Sequence, residues 1–159
     1  MIKKILIGWG VTFCLLVSVG ERSSGGEEQD YWSRFNPGSW VLYELPQGAK
    51  QKMTLISKTS AAITLRTEFI VNGSVLSRQD TTIPLGGSLQ EEQLELHNKV
   101  KEYEDRVSVK GRSLVCKVWE LDASEGITKV WFSEEVPGGI VQSSRGREML
   151  MRVIDYQKR

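Results

Sequence analysis

The stretch WFSEEVPGGIVQ, residues 131–142, gathers two aromatics, a hydroxyl and two adjacent carboxylates ahead of a Pro-Gly-Gly corner. Those residue types could serve acid–base chemistry, because glycoside hydrolysis runs on two carboxylates that flank one bond. Glu134 and Glu135 are direct neighbours, however, and on an extended chain their side chains point to opposite sides. The same holds for Glu91 with Glu92 and for Glu27 with Glu28. His97 is the chain's single histidine, so any Ser-His or Cys-His arrangement would have to pass through it, and its context, ELHNK, holds no nucleophile motif. One histidine and a distant Cys116 do not make a zinc ligand set, and no cofactor-binding, metal or catalytic residue is assigned. Cys116 itself shares a strand face with Leu114 and Val118, the setting of an inert core thiol. Gly86-Gly87-Ser88 could cradle an anion at a helix start, but Leu-Gln-Glu-Glu follows where a phosphate loop has Gly-Lys, which favours a helix cap.

Period-two alternation dominates the chain that holds these groups. SWVLYEL (39–45), KQKMTLISK (50–58) and AAITLRTEFIV (61–71) alternate as strands do, and Asn72-Gly73 supplies a type I′ hairpin turn into SVLSRQDTTI. After Pro84 the pattern changes. Ser88 with Glu91 forms a capping box, and Leu89, Gln93, Leu96, Val100 and Tyr103 recur at helical spacing, which predicts one amphipathic helix, firm to about Asn98. Strands resume near Arg106, with hairpin tips at Lys110-Gly111 and Ser124–Gly126 and a last turn at Arg145–Arg147. Within this frame WFSEEVPGGIVQ reads as a strand, a corner and a returning strand, because Pro137 cannot donate to a ladder and Gly138-Gly139 permit a sharp change of direction. The expected fold is mainly β, a curved antiparallel sheet or half-barrel with one amphipathic helix.

The ends set the domain limits. Residues 1–20 carry Lys3 and Lys4, an apolar run to about Val19 and small residues at Ser18 and Gly20, a secretory signal cleaved after Gly20. The apolar run falls short of the roughly 20 residues a membrane-spanning helix needs, so no integral span remains after cleavage; a retained leader would tether the protein. A lipoprotein reading through Cys14 fits poorly beside the bulky Phe13. Residues 21–35 begin polar and rich in Gly and Ser and are expected to be flexible, leaving 36–159 as a single antiparallel β domain. The chain has 21 Lys and Arg against 20 Asp and Glu. That balance lacks the clustered basic excess a nucleic-acid binder requires. With the leader gone Cys116 is the one cysteine left, so the exported fold rests on packing and not on a disulfide.

The aromatics suggest binding. Trp32, Phe35 and Trp40 bracket NPGS, and a turn near residue 125 would bring Trp119 and Trp131 nearly opposite each other. One reading is a cross-strand core pair that fixes register. The other is an apolar ligand cleft lined by Trp119, Trp131, Leu96 and Val100, between the sheet and the helix.

A strand ending in Trp-x-Ser and continuing to Val-Pro-x-Gly-x-Val (Trp131 to Val141) follows Gly-x-x-Leu-x-Cys (Gly111, Leu114, Cys116) and an early Gly-x-Trp-Val-x-Tyr (Gly38 to Tyr43). Over most of the chain beyond the leader, this set resembles a group of uncharacterised exported bacterial proteins of domain-of-unknown-function type. More remotely it resembles the curved half-barrels of the LolA and LppX lipoprotein-carrier class, in which an antiparallel sheet wraps helices and some members hold acyl chains. The resemblance implies a periplasmic or extracellular location and a lipid or other apolar ligand, or an envelope protein as partner; it brings no catalytic residues. Two other functions stay open: a structural envelope component, and a hydrolase whose carboxylates meet only on folding.

Overall fold

The computed structural model describes residues 31–85 and 98–159. Among these residues nine strands follow one another: β1 (Trp40–Glu44), β2 (Lys50–Lys58), β3 (Ala62–Val71), β4 (Ser74–Pro84), β5 (Asn98–Val109), β6 (Arg112–Ala123), β7 (Gly126–Phe132), β8 (Ile140–Arg145) and β9 (Glu148–Gln157). They form one antiparallel sheet in the order β4-β3-β2-β1-β9-β8-β7-β6-β5, curved and not closed into a barrel. A four-stranded meander, β1 to β4, and a five-stranded one, β5 to β9, therefore meet where the first strand pairs with the last. Tight turns explain most of the order. Asn72 and Gly73 both have positive φ, as do Lys110 and Gly111, so these two-residue tips take the mirror-image turn that matches strand twist.

Among the described residues the helical content is a single 3-10 turn, Pro46–Gly48. The expected amphipathic helix falls largely on residues 86–97, outside the described residues, but its last two apolar positions do not continue a helix. Val100 and Tyr103 belong to β5, which begins at Asn98 and not near Arg106. The physical reason is a second periodicity in the same residues: Tyr103, Asp105, Val107 and Val109 alternate along one face and meet Val118, Cys116, Leu114 and Arg112 of β6. Val100 is the extra residue of a bulge between Lys99 and Lys101, which broke the alternation at the strand's start.

The inner face can be followed strand by strand. Ile63 and Leu65 of β3, Met53 and Leu55 of β2, Val41 and Tyr43 of β1, Val153 and Met151 of β9 and Val130 of β7 are all buried in one core cluster. In β6 the buried face changes: Leu114, Cys116 and Val118 are buried on one side, Leu121 on the other, with Trp119 half-buried between them. The strand thus bends there, and the tip of the β5–β6 hairpin reaches back to β9, where Lys110 Nζ meets Asp155 Oδ2 at 2.6 Å.

Residues 31–35, expected to be part of a flexible segment, are packed. Trp32 and Phe35 belong to the buried core, and Lys58 Nζ donates to the carbonyls of Ser33 (2.8 Å) and Phe35 (3.0 Å). Two aromatics bury enough apolar surface to offset the ordering of a short segment, which the Gly/Ser composition just upstream concealed.

Candidate functional site

The stretch WFSEEVPGGIVQ, residues 131–142, is the corner that holds this N-terminal segment. Phe132 ends β7, the loop closes through Ser133 N–H to Gly139 O (2.8 Å) and Gly139 N–H to Val136 O (2.8 Å), and Ile140 starts β8. Val136 and Pro137 are fully buried. A Cβ on Gly138 would lie 2.9 Å from the Trp32 ring, and one on Gly139 would lie 2.4 Å from the Tyr31 ring. The glycines are needed because two aromatic rings lie against their backbone. Tyr31 stacks on Phe132 with centroids 6.0 Å apart, and Arg34 pairs with Glu134 at 2.7 Å. Glu135 faces Lys158 instead, 3.6 Å away. The two carboxylates therefore serve different ion pairs. Burial, and then the neighbouring Glu134, raise the pKa of the Tyr31 phenol.

The tryptophans do not form the expected pair. Register places Trp119 opposite Val130 and Trp131 opposite Val118, so the two indoles lie on opposite faces of β6–β7. An offset of one residue in the hairpin is enough to separate them, because side-chain direction alternates at every step. Trp131 Nε1 donates to Asp105 Oδ2 at 3.0 Å, and that bond together with the Arg106 N–H holds the Asp105 carboxyl below its usual range. Trp119 packs against Phe132, centroids 4.6 Å apart, with Lys99 Nζ 5.0 Å from its ring centroid. Val100 is 59 % exposed. Leu96, His97 and Gly86 to Ser88 lie outside the described residues.

What the sheet does bring together is a pair of rows on the Trp119 face. Glu102, Trp119, Val130, Ser143 and Met151 stand side by side across β5 to β9, and next to them run Lys99, Leu121, Thr128, Arg145 and Glu148. Val130, Met151, Leu121, Thr128 and Ser143 are buried. Within this band Trp119 Nε1, Ser143 Oγ and Arg145 Nε are each buried without a hydrogen-bond partner among the described residues, although another guanidinium nitrogen of Arg145 pairs with Glu125. Each such orphan costs about 1–3 kcal/mol, so three on adjacent rows of one face call for a physical explanation. All three can donate, and no buried side chain among the described residues is a carboxylate. The band thus offers apolar contact through Trp119, Val130, Leu121 and Met151, and donors toward an oxygen acceptor. No local signal marks Ser143 and Arg145, since IVQSSR shows no alternation and bulges at β7–β8 and β8–β9 shift which residues face inward.

Among the described residues no group of three His, Cys, Asp or Glu side chains gathers as a metal site would require. Cys116 is buried, and burial raises its thiol pKa to about 11, far from a thiolate nucleophile. No helix of the described chain is long and apolar enough to cross a membrane. The fold defines an open, curved, all-antiparallel β protein. Compared with known proteins, the chain matches no family model, no curated protein and no solved structure.

Proposed function

We propose that this is an exported, non-enzymatic binding domain whose ligand is an apolar molecule carrying an oxygen acceptor, such as a fatty-acyl lipid. The observation that carries the reading is the coincidence of three donors that have no hydrogen-bond partner among the described residues, Trp119 Nε1, Ser143 Oγ and Arg145 Nε, with the apolar side chains of Val130, Leu121 and Met151. A small number of polar groups set in an apolar surface is the usual composition of a lipid site, the donors fixing the head and the apolar residues the tail. Leader-like residues 1–20 support delivery to the cell envelope, where such ligands are abundant. The likeness to lipoprotein-carrier half-barrels favours the same ligand class, and with it a periplasmic or extracellular setting.

The test is native mass spectrometry of the protein recovered from its own host, followed by titration with a fatty acid while Trp emission is recorded. Retention of an acyl ligand, with Trp119 emission shifting on titration and weaker binding by Arg145→Met, is the expected result. A ligand-free mass together with unchanged emission up to the solubility limit of the fatty acid would remove the reading.

A further inference from the structure

The bare edge of the sheet carries a self-complementary sequence. Strand β4 is the outermost strand on one side, so among the described residues no strand lies beside its outward N–H and C=O groups. All eleven of its residues are exposed save Ile83, which is half-buried. We propose that this edge pairs antiparallel with β4 of a second copy of the chain, about a two-fold axis through Gln79, to give a continuous eighteen-stranded sheet.

Geometry narrows the registers to a few. Only alternate residues of an edge strand present their backbone groups outward, so a symmetric antiparallel pair must be centred on a residue and not between two. Arg78 and Asp80 are the only charged residues of β4. Centring on either of them would set like charges face to face across the axis, which is unfavourable. Centring on Gln79, the midpoint of Ser74–Pro84, sets Arg78 opposite the partner's Asp80, Ser77 opposite the partner's Thr81, and the Gln79 amide opposite itself.

The charges then extend a pattern already present inside each copy. Arg78 pairs with Glu68 of β3 at 2.7 Å, and Arg66 of β3 holds Asp80 through two bonds of 2.8 and 2.9 Å. These four residues share one face. Across the proposed junction they would form two rows alternating in sign, Glu68, Arg78, the partner's Asp80 and the partner's Arg66, with the second row its symmetry mate. A guanidinium with five donors and a carboxylate with about four acceptor sites can each serve two partners at once. Beyond Ser77 a bulge at Leu76 ends the regular ladder, so the paired segment is short and the dimer is a concentration-dependent one. Leu76, 65 % exposed, and Val75, 48 % exposed, would come beside the partner's Thr82 and the partner's Ile83.

The experiment is sedimentation of the protein, as recovered from the cells that make it, over a concentration series, with three variants. Gln79→Glu places two carboxylates face to face only in the dimer, since its neighbour inside the chain is the neutral Thr67. It should weaken self-association roughly tenfold or more at neutral pH and lose that effect once the carboxylates protonate. Gln79→Cys should form an intermolecular disulfide under mild oxidation, whereas Ser77→Cys should not, its symmetry mate lying roughly 14 Å away, beyond disulfide reach. Near-UV circular dichroism checks that each variant keeps the native core. A monomer at every concentration overturns the proposal, as does a dimer indifferent to Gln79→Glu, an open-ended series of larger species, or equal cross-linking by the two cysteine variants.

Discussion

Two turns of the molecule look alike in backbone and differ in everything around them. Gly73, at the tip of the β3–β4 hairpin, has φ +78° and nothing within 4 Å of a would-be Cβ; Gly139, in the corner between β7 and β8, has φ +77° and the Tyr31 ring at 2.4 Å. The first glycine answers only to its own turn. The second answers to the packing of a segment more than a hundred residues away in sequence, and the regions follow suit. Around Gly139 the chain is packed by Val136, Pro137, Trp32 and Ile140, while the outer half of the β3–β4 hairpin stands as a single layer with Phe69, Val75 and Leu76 exposed. Stability and surface availability are thus placed at separate parts of one sheet.

The sharpest way to break this contrast is to add the same methyl group at both turns. Gly139→Ala should cost about 3 kcal/mol or more, combining a left-handed backbone with a clash against a ring that is itself packed, whereas Gly73→Ala should cost only the backbone penalty of about 1–2 kcal/mol. Urea unfolding of the two variants measures the difference. Equal losses would mean that Tyr31 and Trp32 do not bear on the corner.

Leucine truncation probes the same division at smaller scale. Leu55, fully buried between β1 and β3, should lose about 2–5 kcal/mol on Leu55→Ala, and Leu76→Ala should stay within about 0.5 kcal/mol of the parent. Cys116 reports the opening of the core without any mutation. Its buried thiol, with a pKa raised to about 11, should react with an alkylating reagent at neutral pH only as fast as the β5–β6 region opens, so Leu55→Ala should accelerate labelling and Leu76→Ala should not.

The same split governs what could be read from sequence. Hairpin tips were legible because Asn72-Gly73 and Lys110-Gly111 declare their turn in adjacent residues, and β1, β2 and β3 were legible from alternation. The band on the Trp119 face was not. Its members come from β5 to β9 and share a face only after bulges at Val100 and Leu150 reset the alternation, which no local pattern encodes. The tryptophan pair failed for a related reason: the 124–126 turn sets a register one residue away from the one that would join Trp119 to Trp131. The packing of Tyr31 to Phe35 was hidden because its partners, Gly138 and Gly139, announce a turn without saying what lies against it.

The smallest expected effect contrasts two carboxylates. Asp80 is held below the usual carboxyl range by Arg66 on the exposed hairpin, and Asp105 by the Trp131 indole and a backbone N–H beside the core. For a carboxyl whose native pKa is lowered, the stabilisation is complete above the unfolded value, near 3.9 for Asp, and disappears as pH falls through the lower native value. Both Asp80→Asn and Asp105→Asn should therefore flatten stability against pH in that acidic window, and neither should change its slope near neutrality. Salt separates them. The Arg66–Asp80 attraction is between exposed ions and fades as ionic strength rises, while a carboxylate bonded to a neutral indole and an amide has no opposite charge to be screened. Unfolding midpoints taken at low and high salt should converge for Asp80→Asn and its parent and stay apart for Asp105→Asn; convergence of both pairs would place Asp105 among the surface ion pairs and not at the margin of the core.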